Sequence, residues 1–187
     1  HAGGFTAQFG DRMSSVIEAS SVHPTGDAYY ELGASLFHVN ALASQHFAAG
    51  KGAWLVSARR SNLDEVADLV DSGIGEPSYS DGFARLDYAF SDRTRASLHA
   101  LLASDRVEMQ RSEATGFAKA TCRNSYWWAT LEHDFSPSTS ARAIASYTDV
   151  EDDRTGEVHD PGNTVGAVDD ERSYDVLGLK LDGSHRA

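Results

Sequence analysis

The chain has 187 residues, enough for one domain with its own core or for a section of something larger. Its 28 acidic against 16 basic residues give a formal net charge of −12, and no basic stripe is present to neutralise phosphates, which argues against a nucleic-acid partner. No apolar run approaches the roughly 18 residues of a spanning helix, no signal peptide is visible, so that an exported protein would carry its signal upstream of His1, and the single Cys122 makes no internal disulfide.

From Tyr29 onward hydrophobicity alternates at period two, which predicts strands with one apolar and one polar face. Residues 29–47 place Phe37, Val39, Ala41, Ala43 and Phe47 on one face, with Leu32 and Leu36 on the other. Residues 53–60 set Trp54, Val56 and Ala58 against Ser57 and Arg59, with Leu55 on the polar side. Residues 83–90 set Ala84, Leu86, Tyr88 and Phe90 against Arg85 and Asp87, and residues 95–104 set Ala96, Leu98, Ala100 and Leu102 against Arg95, Ser97 and His99. In 123–135, Trp127, Ala129, Leu131 and Phe135 oppose Thr130, Glu132 and Asp134. In 140–149, Ala141, Ala143, Ala145 and Tyr147 oppose Arg142 and Ser146, with Ile144 on the polar side, and in 172–182 Leu177, Leu179 and Leu181 oppose Lys180 and Asp182. These make seven strands, and Pro24, Pro77, Pro137 and Pro161 all fall between them, where a missing ladder donor does no harm.

The connections repeat. "FSDRT" at Phe90–Thr94 returns as "FSPST" at Phe135–Thr139, each after an alternating run with a leucine four residues before the phenylalanine. Short turns follow Phe47 ("AAGKG"), Phe90, Phe135 and Leu181 ("DGSH"), while the links at 61–81, 106–122 and 150–171 are long and polar. That rhythm predicts an all-β antiparallel meander with two unlike ends, as in a transmembrane β-barrel with short periplasmic turns and long outer loops. Trp127 to Phe135 spans about 27 Å of strand, or roughly 20 Å of depth when tilted, near the apolar band of about 25 Å. Phe47, Trp54, Phe90 and Phe135 are then interface aromatics on the periplasmic side, and Trp127 and Tyr147 mark the far interface. A soluble all-β domain whose apolar faces pack on each other has the same periodicity.

Two stretches resemble one family. "GGFTAQFGDRMSSVIEASS", residues 3–21, is similar to the end of the plug domain of TonB-dependent outer-membrane receptors, with Asp11 where that family commonly has a second glycine. "YELGASLFHVNALASQHF" and "GKGAWLVSARRSNLD" resemble the strand that enters the barrel and its first hairpin, and the likeness continues through residues 83–105. The resemblance implies a 22-stranded barrel around a plug in the bacterial outer membrane. It would capture a scarce substrate (siderophore-bound iron, cobalamin or a glycan) and import it with energy from the TonB complex. Residues 1–22 would be the end of the plug, 23–28 the junction and 29–187 the first seven barrel strands. The TonB-contacting segment would lie upstream and further strands downstream. Alternatives are a passive porin-like barrel and a soluble β-sandwich for binding or adhesion.

No stretch reads as an active site: Gly-x-Ser-x-Gly and His-Glu-x-x-His are absent, and "AAGKG" lacks the first glycine and the final Ser/Thr of a phosphate loop. No cofactor or metal is expected. The acidic stretch Asp149–Asp160 lacks the EF-hand order of ligands and is expected as a solvated outer loop. His133 and Asp134, as strand neighbours, point to opposite faces, and His38 and His46 are too far apart along one strand to share a metal. Arg59, Arg85, Asp87 and Glu132 are the candidates for facing the lumen, where they would meet plug or substrate or simply line a wet surface. Residues 63–75 have the pattern of a short amphipathic helix.

Overall fold

The computed structural model describes residues 21–24, 26–63, 66, 76–110, 116–159 and 165–186. The described residues form a single antiparallel sheet of eight strands in the order of the chain. These are β1 (Tyr29–Ala34), β2 (His38–Phe47), β3 (Gly52–Ser61), β4 (Glu76–Ser91), β5 (Thr94–Gln110), β6 (Gly116–Ser136), β7 (Thr139–His159) and β8 (Val165–His185). Each strand pairs with its sequence neighbours, and the sheet is open at β1 and β8. Among the described residues no helix is long and apolar enough to cross a membrane, which says nothing of strands.

Seven strands were expected and eight are present, because residues 29–47 form a hairpin. Ser35 drives the reversal: its backbone N–H donates to the His38 carbonyl (2.8 Å), and its hydroxyl oxygen accepts from the N–H groups of Phe37 (3.2 Å) and His38 (3.1 Å). The reversal shifts parity, so Leu32 pairs with Ala41 and rejoins the apolar face from which it seemed displaced. Leu36, at the hairpin tip, is exposed.

The repeated Phe-Ser-x-x-Thr motif is a bulged turn used twice. Register slips between Ala89 and Ser91 and between Asp134 and Ser136, leaving Phe90 and Phe135 as the extra residues. In each turn the serine hydroxyl accepts the N–H two residues on, from Arg93 and from Ser138 (both 3.3 Å). In each, the closing threonine meets a histidine on the neighbouring strand: Thr94 Oγ1 lies 2.9 Å from Nδ1 of His133, and Thr139 Oγ1 lies 2.9 Å from Nδ1 of His185. The "DGSH" stretch is not itself a turn, since β8 runs on to His185 opposite Thr139.

The long polar links expected at 106–122 and 150–171 are mostly strand. β5 reaches Gln110 and β6 begins at Gly116; β7 reaches His159 and β8 begins at Val165. The acidic stretch from Asp149 is therefore strand as far as His159, not loop. Each of β6, β7 and β8 has 21 residues, about 70 Å at the usual rise, and over the three together charged residues are concentrated in the portions far from the short turns. There charges pair across and along the strands: Arg123 with Glu151 (3.4 Å) and Asp153 (3.3 Å), and Arg172 with Asp170 (2.9 Å). Pro77 lies inside β4, beyond the last β3 pairing at Ser80, where the ladder has one neighbour instead of two. The expected helix at 63–75 falls mostly outside the described residues, as does the expected plug segment except for Ser21 and Val22.

Candidate functional site

The two faces of the sheet are chemically distinct, and strand register aligns each into rows. On one face Gln45, Trp54, Leu86, Leu98, Ala129, Ala145 and Leu179 are successive partners from β2 to β8. The next row toward the short turns is Phe47, Gly52, Tyr88, Ala96, Leu131, Ala143 and Leu181. The row on the other side is Ala43, Val56, Ala84, Ala100, Trp127, Tyr147 and Leu177. No described element covers these rows: Leu98 is 50% exposed and Leu179 75%.

The six aromatics read as interface markers all lie on this face. Phe47, Phe90 and Phe135 stand at the short-turn end, where Phe47 stacks on Tyr88 (6.2 Å) and Tyr88 meets Phe90 edge-on (5.1 Å). Trp54 is one row further in, beside Leu86. Trp127 and Tyr147 are direct partners at the opposite limit, and the row beyond them on β6–β8 is Ser125, Asp149 and Asp175.

The opposite face holds all four candidates for the lumen: Arg59, Arg85, Asp87 and Glu132. The central one is Arg85, whose side chain is 7% exposed. Its guanidinium donates to Asp87 (2.6 and 3.0 Å) and reaches the segment ahead of β1, donating to the carbonyl (3.2 Å) and hydroxyl (2.7 Å) of Ser21. It also lies 2.8 Å from Nδ1 of His23. The same segment meets β2 where His46 Nε2 lies 3.0 Å from the Pro24 carbonyl oxygen.

Beside Arg85 in register is His99, 6% exposed, stacked flat on Trp128 at 4.6 Å with 4° between the planes. Among the described residues its Nδ1 has no hydrogen-bond partner. Leu55, the buried apolar residue on this face, is the register partner of Ser44 and Arg85. Arg59 binds Asp81 at 2.7 Å with its guanidinium 5.1 Å from the Tyr79 ring centre. Glu132 belongs to a row of alternating charge, Arg95, Glu132, Arg142 and Asp182, with Arg142 to Asp182 at 2.9 Å and Arg95 to Glu132 at 3.9 Å.

His99, Trp128 and the His23 contact were not singled out from sequence. One signal was available: in "YWW" the second tryptophan has polar-face parity, so an aromatic there needs a stacking partner on its own face. His133 bonds Thr94 and not its neighbour Asp134. Cys122 is a free thiol beside Asn124. Among the described residues no group of three or more His, Cys, Asp or Glu could hold a metal ion. The Arg85 guanidinium thus joins β4 to Ser21 and His23 of the segment ahead of β1.

Compared with known protein families, curated proteins and solved structures, the chain matches none.

Proposed function

We propose that this chain forms a sector of the wall of a transmembrane β-barrel in a bacterial outer membrane. The observation that carries this is the set of apolar rows, continuous across seven strands and covered by no described element, against an opposite face crossed by charge pairs. Lipid is the solvent that such a face requires. A soluble sandwich would bury Leu98, Trp127 and Leu179 under a second sheet, and the described residues form one sheet only. The edges at β1 and β8, unpaired among the described strands, would need further strands to satisfy their backbone groups in lipid.

Within that reading the protein acts as a TonB-coupled receptor. It binds a scarce substrate, of siderophore-iron, cobalamin or glycan type, at its outer side and imports it through movement of a plug. Two features support this choice over a passive porin-like channel: the resemblance of residues 3–21 to a plug end, and the grip of Arg85 on Ser21, which holds the preceding segment against the polar face.

The test is site-directed spin labelling in a Cys122→Ser background. Labels at Leu98, Trp127 and Leu179 should respond to a lipid-soluble quencher, and labels at Ser97, Thr130 and Lys180 to a water-soluble one. Shielding of the first three from both quenchers would place them in a protein core and end the membrane reading. Substrate uptake that survives collapse of the proton gradient would leave a passive channel.

A further inference from the structure

At its far side from the short turns the apolar face passes into a basic cavity. One row beyond Leu102, the same face carries Arg60, Ser80, Ser104 and Arg123 as successive partners from β3 to β6. The next row holds Ser78, Arg106 and Thr121, and the row after that pairs Glu108 with Lys119. Together the four basic side chains, with the serine and threonine hydroxyls between them, line a cavity of about 520 Å³ whose one acidic wall residue is Asp153. Four of the chain's 16 basic residues thus converge on one place in a protein of net charge −12.

The arginines are oriented but not sequestered. Arg123 meets Glu151 and Asp153 at 3.4 and 3.3 Å, and Arg106 pairs with Glu108, while the two side chains remain 56% and 49% exposed. Exposed pairs of this kind contribute about 0–1 kcal/mol. A phosphate, which accepts bidentate bonds from arginine and further bonds from hydroxyls, can displace such carboxylates.

We propose that this cavity binds the phosphate of a lipid headgroup in the outer leaflet. The inference rests on the membrane-wall reading, and continuity of the surface selects lipid over free phosphate. Acyl chains lying along Leu98, Ala100 and Leu102 place the headgroup at Arg60, Arg106, Lys119 and Arg123, as basic pockets at a membrane interface do for phosphorylated lipids.

The test uses protein extracted from its own membrane and placed in phosphatidylcholine nanodiscs. These contain either diphosphorylated lipid A or the same lipid stripped of phosphate, and bound lipid is read by native mass spectrometry. The phosphorylated form should be retained and the stripped form lost. Arg106→Gln and Arg123→Gln should each weaken retention roughly ten-fold, the loss expected for one charge-assisted hydrogen bond. Arg172→Gln, on the opposite face beside Asp170, should change nothing. Equal retention of the two lipids by the unaltered protein overturns the proposal without relying on any variant. Displacement by millimolar inorganic phosphate also overturns it, by identifying a free-phosphate site. If the spin labels report lipid contact while the two lipids bind equally, the headgroup site falls and the wall reading stands. If the apolar rows are shielded, both fall.

Discussion

Arg85 reaches 64 residues back along the chain to Ser21, donating from one nitrogen to both its carbonyl oxygen and its hydroxyl. The arginine is anchored from the other side by Asp87, so its fork has a fixed direction before the segment arrives. Arg85→Ala should destabilise the fold by roughly 1–3 kcal/mol, because it leaves a part-buried carboxylate and a carbonyl without their donor. It should also free the backbone at 21–24 for proteolysis, whereas Arg85→Lys keeps the charge but loses the fork and should fall between. Limited digestion followed by N-terminal sequencing reads the release directly. Identical cleavage in the variant and the parent would show that Arg85 does not hold the segment.

The two faces were legible in the sequence because a period of two needs only one wet side and one dry side. The residues that broke the pattern were the informative ones. Leu32 marked a hairpin, since a serine able to cap its own turn lay between two alternating runs of opposite parity. Leu55 marked the point where the polar face is buried beside Arg85. What could not be read was the length of the outer strands. A ribbon that is polar on both faces has no hydrophobic period, and Arg123, Glu151 and Asp153 look alike in a loop and in a ladder. The Arg85 cluster was only half visible, because its partners Ser21, His23 and His99 come from places that register and folding bring together.

The ring of Phe47 lies across Gly52, its register partner, and fills the space a β-carbon there would need. Gly52→Ala should push the ring off and break its stacking on Tyr88, with a loss of about 0.5–1.5 kcal/mol, the worth of one aromatic pair. In a Phe47→Leu background the same alanine should cost much less. Denaturant titration of the four proteins of this cycle measures the coupling, and a coupling near zero would mean that the ring and the glycine are independent.

The β2–β3 turn carries two alanines in left-handed backbone conformation, Ala48 at φ 53° and Ala49 at φ 55°, ahead of Gly50 at φ 85°. A side chain in that region is disfavoured by about 1–2 kcal/mol, partly offset in a glycine by the greater freedom of the unfolded chain. Ala49→Gly should therefore stabilise the protein by about 0.5–1 kcal/mol. A shift of the denaturation midpoint in the opposite direction would show that the turn is not held in this form.

Beyond the apolar band, the hydrogen bond from Arg106 holds the carboxyl of Glu108 below the usual glutamate range, and the nearby charge of Lys119 acts in the same direction. A depressed carboxylate stabilises the folded state above its unfolded pKa, and that contribution disappears as the pH falls through the folded value. Carboxyl-carbon NMR across the acid range should find Glu108 titrating below an unpaired glutamate, and Arg106→Gln should move it upward. A phosphate seated in the cavity would draw Arg106 away from Glu108, so binding of phosphorylated lipid should raise the same titration in the unaltered protein. A Glu108 titration that stays in place while the lipid binds would mean that Arg106 keeps its carboxylate, and that the headgroup is held by the other three cations.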